Sequence, residues 1–206
     1  MIKIIGRNNS IAVQKVLWTA SELKLPFHRE NMGGSFGFTK DYTKLNPNNR
    51  IPTLIDSDGF VLWESHAIIR YLCQKYENKI FPTDIKSQAQ INKWMDWQIT
   101  TLYPPLRTIF FNLIRYPPEK RDMVAVDKAS LECKELWKII EDELSLKPYV
   151  LGSEFTLADI PLAITAHRWI RLNGREKNFP YMHSWYDNLV ETRPLFRQLV
   201  VDLELN

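Results

Sequence analysis

Apolar residues recur along this chain with two periods, and the changes of period divide it into elements. Ile2, Ile4 and Ile5 open it as a short buried strand. Val13, Val16, Leu17, Ala20 and Leu23 then fall at i, i+3, i+4, i+7 and i+10, which predicts a helix with one apolar stripe. Pro26 closes the connection, and residues 27–30 suit a second strand parallel to the first. Met32-Gly33-Gly34-Ser35-Phe36-Gly37 lacks the Gly-Lys-Ser/Thr ending of a phosphate loop and reads as a flexible connection. A short helix over 40–45, a strand entered at Pro52, a hairpin turn at Asp58-Gly59, a strand over 60–63 and a helix from Ser65 complete the first part.

The resulting order βαβαββα is that of a thioredoxin-like α/β domain, assigned to residues 1–78. Turn residues over 79–85 break all periodicity and mark a linker, and residues 86–206 read as an all-α domain. There, 86–103 is one helical segment, expected to kink or break at Pro104-Pro105 and to continue to about Tyr116. A long amphipathic helix is predicted from Glu119 to about Leu146. In Gly152-Ser153-Glu154-Phe155-Thr156-Leu157-Ala158-Asp159-Ile160, Thr156 suits a helix N-cap and Asp159 the third position of a capping box. Phe155 and Ile160 take the two staple positions.

Chemistry concentrates in the first domain. Pro52 stands between β-formers, directly after the turn-rich run Asn46-Pro47-Asn48-Asn49. That setting fits a strand entrance with a cis peptide bond, which costs only ~0.5–1 kcal/mol before proline. Such a turn leaves the N–H and C=O of Ile51 pointing outward, able to pair with an extended peptide. Glu64-Ser65 follows twelve residues after Pro52 and places a carboxylate and a hydroxyl at a helix start. A zwitterionic γ-glutamyl tripeptide matches this set: its ammonium suits Glu64, and its carboxylate suits Ser65 and the helix-start N–H groups.

Asn46-Pro47…Arg50-Ile51-Pro52-Thr53-Leu54 and Glu64-Ser65-His66-Ala67-Ile68-Ile69-Arg70-Tyr71-Leu72 resemble the glutathione transferase family, and the Thr156–Asp159 word resembles the helix start of its C-terminal domain. The resemblance, to bacterial serine-type, theta-like members, spans essentially the whole chain. It implies a homodimer that binds glutathione as co-substrate through Arg50, Ile51, Pro52, Glu64 and Ser65. The thiolate would then be delivered to a small hydrophobic electrophile, with dehalogenation or peroxide reduction as further outcomes. The thiolate needs a donor in the first turn, Arg7-Asn8-Asn9-Ser10; Ser10 falls on the serine-type position, Asn9 is the other candidate, and either can instead only cap the helix. The turn holds no tyrosine or cysteine, which argues against tyrosine-type chemistry and thiol exchange, and it lacks the Ser-Ser-Cys word of glutathione-dependent isomerases. Arg7, Phe36, Trp97, Tyr103, Arg107 and Phe111 are expected to line the electrophile pocket. Gly37, Thr100 and Tyr103 depart from the polar or charged groups that relatives carry there. His66 is expected to face solvent or a subunit interface, and His167 and Trp169 to lie in the core or an interface. The alternative function is a non-catalytic protein-interaction module on the same fold.

Composition narrows the field further. Net charge is +3 with acids and bases interspersed, too weak a bias for nucleic acid. No apolar run approaches the roughly 20 residues that span a bilayer, so no membrane partner is expected. Two distant cysteines, Cys73 and Cys133, and an N-terminus that reads as a strand favour a reducing cytoplasm. None of the four histidines has metal-ligand spacing, so no metal is expected.

Overall fold

The computed structural model describes residues 1–205, and the chain divides into two compact units. The first comprises Met1–Phe81 with Leu195–Leu203, the second Pro82–Pro194 with, among the described residues, 204–205.

In the first unit, strands β1 (Ile2–Ile5), β2 (Phe27–Glu30), β3 (Thr53–Ile55) and β4 (Val61–Trp63) form one mixed sheet in the order β2-β1-β3-β4. β1 runs parallel to β2 and antiparallel to β3, and β4 returns antiparallel to β3. β1, with Ile2, Ile4 and Ile5 buried and only Lys3 part-exposed, suits its inner place, whereas β2 alternates half-buried and exposed residues, as a sheet edge does. Helix α1 (Ile11–Glu22) buries Val13, Val16, Leu17 and Ala20, as the stripe requires, and α3 (Ser65–Lys75) buries Ile68, Ile69, Leu72 and Cys73. Leu23, expected to extend the stripe, is instead the cap residue, because Lys24 turns to φ 55° and ends the helix. The short helix α2 lies at Lys40–Leu45.

The domain limits differ from expectation at the C-terminal end. Residues 195–203 belong with the first unit, not the second. Trp18 on α1 is fully buried, and Phe196 stacks on it at 4.5 Å with rings 20° apart. The Gln14 side chain also donates to the Leu199 carbonyl at 3.3 Å. A large indole on the outer side of a helix needs such a cover.

The second unit is helical: α4 (Ile85–Trp97), α5 (Tyr103–Phe110), α6 (Met123–Leu144), α7 (Asp159–Asn173) and α8 (Pro180–Thr192). Pro104-Pro105 does not break the helix. A π turn, Gln98–Leu102, joins α4 to α5 without interruption, and a second, Phe111–Arg115, continues it. A proline ring clashes with the carbonyl four residues earlier in an α-helix, and the wider turn just ahead of the prolines avoids that conflict. α6 starts later than predicted, because Asp122 accepts the Ala125 N–H at 2.9 Å as its cap, while residues 118–120 form a separate 3-10 turn.

The expected capping box is only half built. Asp159 does reach back: its carboxylate accepts the Thr156 N–H at 2.9 Å and hydroxyl at 3.1 Å. The Asp159 N–H, however, goes to the Thr156 carbonyl at 3.0 Å, not to the hydroxyl, and α7 begins at Asp159 itself. The same carboxylate takes the Val150 N–H and the Trp185 indole N–H, each at 3.2 Å, so this fully buried group ties four donors together. Burial raises its pKa against the lowering pull of those donors. No helix among the described residues is long and apolar enough to cross a membrane.

Candidate active site

Strand register gathers the predicted residues at one end of the sheet. Ile5 pairs with Thr53, so the next residues of the two strands, Gly6 and Pro52, face one another. Thr53 also pairs with Trp63, which brings Glu64-Ser65 beside Ile51-Pro52. The Ile51–Pro52 bond is cis, and β3 begins only at Thr53. Among the described residues, neither the N–H nor the C=O of Ile51 takes part in the backbone bonding of the sheet or of its turns.

The first turn packs directly on this edge. A Cβ at Gly6 would stand 2.5 Å from Val13 Cγ2 and 3.1 Å from Ile51 Cβ, so only glycine, here at φ +152°, lets the turn approach Ile51. The 32–37 loop closes in as well: Arg7 N–H donates to the Met32 carbonyl at 3.1 Å, and a Cβ on Gly33 would meet Ile51 Cδ1 at 3.1 Å. Arg7 lies against Gly34 and donates to the Asn9 side-chain carbonyl, which leaves the NH2 end of that amide to serve as a donor. Ser10 is buried at the N-cap of α1, and its hydroxyl makes no capping bond. Arg50 is exposed next to Ile51.

At the second helix start, Ser65 is buried and Glu64 is exposed with φ 74° and ψ 114°. A non-glycine residue there costs of order 1–3 kcal/mol, and such strain concentrates where function demands it. The Glu64 carboxylate makes no cap bond to its own helix. Behind it, His66 departs from expectation: it is buried, with Nε2 2.9 Å from the Lys15 ammonium. An apolar environment around α1 and α3 encloses both groups, and periodicity alone gave no sign of it. His167 and Trp169 lie in the core of the second unit.

The electrophile-pocket candidates fall in two sets. Arg7 and the exposed Phe36 belong to the first unit. In the second, half-buried Tyr103 precedes Arg107 by one helical turn, and the Arg107 guanidinium lies 4.3 Å above the Phe111 ring. Trp97 is turned edge-on to Trp94 at 5.4 Å. Neither cysteine offers a nucleophile, because burial pushes both thiols up to about 12. Sequence reasoning missed a polar cluster under the Pro52 turn: Tyr42, Asn46 and Thr53, all buried. Its one visible sign was the placing of Tyr42 and Asn46 four residues apart around the end of α2.

Residues 9–75 match the family described as "Glutathione S-transferase, N-terminal domain", and residues 102–193 match "Glutathione S-transferase, C-terminal domain". Glutathione S-transferase GstB of Escherichia coli K12 is 38% identical over 205 residues, covering 98% of both chains. Among solved structures, the theta-class glutathione S-transferase of Xanthomonas axonopodis pv. citri with glutathione bound superposes with a TM-score of 0.92. It is 34% identical and covers 100% of this chain and 99% of its own. The apo form of that enzyme gives 0.85 at 30% identity, over 100% and 98% of the two chains. With both domain families matched in order along its length, the chain belongs to the glutathione S-transferase family.

Proposed function

We propose that this transferase binds glutathione at the sheet end formed by Arg50, Ile51, Pro52, Glu64 and Ser65, and adds its thiolate to small hydrophobic electrophiles. The observation that carries the reading is the gathering, by strand register, of a free peptide edge and two helix starts that lack side-chain caps. Glu64 pairs with the γ-glutamyl ammonium. The Ser65 hydroxyl and the first N–H groups of α3 take the γ-glutamyl carboxylate. Ile51 pairs with the cysteinyl backbone as an added strand, and Arg50 faces the glycyl carboxylate. The glutathione held by the Xanthomonas relative supports this assignment.

A free thiol titrates near ~8.5 and is mostly protonated at neutral pH. A donor to the charged sulfur contributes roughly 1.5–3 kcal/mol, or about one to two pKa units. The uncapping Ser10 hydroxyl and the Asn9 amide are the two groups able to supply it. The thiolate sulfur then forms a bond to carbon with its own electron pair. A halide leaves with the electrons of the broken bond, or a proton is taken up where the electrophile is an alkene. Peroxide reduction uses the same activated sulfur. Trp97, Tyr103, Arg107 and Phe111 of the second unit are the side chains assigned to the electrophile. The enzyme acts as a cytoplasmic homodimer, which sedimentation at micromolar concentration checks.

Calorimetric titration with glutathione tests the site. Submillimolar binding that Glu64→Ala weakens at least tenfold is expected. A folded wild-type protein that takes up no glutathione sinks the proposal and favours a non-catalytic interaction module.

A further inference from the structure

The peptide edge at Ile51 owes its direction to the polar cluster beneath it. Tyr42 on α2, Asn46 at its C-terminal end and Thr53 at the start of β3 are 2%, 2% and 0% exposed. The Tyr42 hydroxyl donates to the Arg50 carbonyl and lies 2.8 Å from the Thr53 hydroxyl. Asn46 Nδ2 reaches the same Arg50 carbonyl at 2.8 Å and the Thr53 hydroxyl at 3.1 Å. The Asn46 side-chain oxygen accepts the Asn48 N–H at 3.1 Å, which fixes which end of the amide faces inward.

Hydrogen counting then sets every direction. A carbonyl cannot donate, so the single Tyr42 hydroxyl proton goes to Arg50. Thr53 must therefore donate to the Tyr42 oxygen, and its own oxygen accepts from Asn46. The chain runs one way, from Asn46 through Thr53 and Tyr42 to the Arg50 carbonyl, and a second Asn46 hydrogen closes it. Both lone pairs of that carbonyl are held inside the fold.

The Arg50–Ile51 peptide is planar and trans, since the cis bond is the next one along. In a trans peptide the C=O and N–H point in opposite directions. Anchoring the Arg50 oxygen inward thus aims the Ile51 N–H outward, along the edge where a ligand backbone pairs. We propose that Tyr42, Asn46 and Thr53 are positioning residues for glutathione: without touching it, they aim the Ile51 N–H at the cysteinyl carbonyl. This rests on the glutathione site proposed above.

Glutathione affinity and steady-state kinetics of Tyr42→Phe, Thr53→Val and Thr53→Ser, measured well below the melting temperature, test it. Tyr42→Phe and Thr53→Val should each raise the Kd and the KM for glutathione about five- to tenfold, with kcat at saturating glutathione within twofold of wild type. Thr53→Ser keeps the hydroxyl and should stay within twofold in all three values. A merely structural role predicts lower melting temperatures with unchanged KM. Wild-type KM in both Tyr42→Phe and Thr53→Val overturns the proposal, as does a Thr53→Ser protein as impaired as Thr53→Val. Wild-type protein that binds no glutathione overturns instead the reading on which it stands. If Thr53→Val does not fold, Tyr42→Phe against Thr53→Ser carries the same decision.

Discussion

The helix starts of this protein are finished in two contrasting ways. Asp84 caps α4 through the Lys86 and Ser87 N–H groups, Asp122 caps α6, and Thr39 caps α2. The start of α8 is closed from a distance, by the Glu141 carboxylate on the Tyr181 and Met182 N–H groups at 2.9 and 2.7 Å. At the start of α7 no side chain accepts the first N–H groups, but the buried Asp159 carboxylate stands in the first turn and gathers four donors from outside the helix. α1 and α3 have no side-chain cap, although Ser10 and Glu64 are both residues able to accept. A helix start leaves N–H groups without partners, and the resulting partial positive charge draws whatever anion is near. Where only stability is at stake, the fold supplies that anion from its own side chains. At the two starts beside Ile51 it leaves the place open, and a thiolate and a carboxylate are what the proposed ligand brings.

Substitutions on the two sides of this contrast should separate cleanly. Asp159→Ala strands buried donors and should cost the largest amount of stability, about 3–4 kcal/mol in chemical denaturation. Glutathione affinity of the folded fraction should stay unchanged. Ser10→Ala and Asn9→Ala do the reverse. The variant that removes the true donor should raise the pKa of bound glutathione by about one to two units, read as thiolate absorbance against pH, with stability nearly unchanged. A variant pair that leaves this titration untouched would remove the first turn from the chemistry. Glu64→Gly sharpens the point further. It relieves the positive φ and should stabilise the protein by about 1 kcal/mol while weakening glutathione binding at least tenfold.

A last expected effect concerns a carboxylate committed to structure. Burial alone would raise the Asp56 pKa, but the Lys75 ammonium, the Tyr71 hydroxyl and the Ser57 N–H together hold it at about 2, below its ordinary 3.8. A pKa lower in the folded state means stability that is present above pH ~4 and lost as pH falls toward 2. The loss should amount to no more than about 2 kcal/mol, and Asp56→Asn should flatten that part of the stability profile.

The elements carrying the site were legible because each announces itself locally. A short isoleucine-rich run marks β1, 3.6-residue periods mark α1 and α3, and Pro52 and Glu64-Ser65 carry their chemistry in their side chains. What stayed hidden depends on contacts distant in sequence or on a choice between near-equal local geometries. Phe196 covers Trp18 from far along the chain, and no pattern near either residue foretells it. Lys15 and His66 look like surface residues until α1 and α3 enclose them. The direction of the Tyr42–Asn46–Thr53 chain follows only once three elements meet. At Pro104-Pro105 the rule that proline breaks a helix yielded to a wider turn that spares the clash.

That wider turn also has a bearing on which changes of length the helix tolerates. Successive residues in an α-helix are set about 100° apart around its axis. A residue lost from a regular stretch of the helix would therefore swing Arg107 and Phe111 together to another azimuth, whereas one lost from Gln98–Leu102 lets the π turn revert to the α pattern and leaves their direction nearly unchanged. The turn is thus a place where a codon can be gained or lost while the side chains beyond it, among them those proposed to face the electrophile, keep their direction.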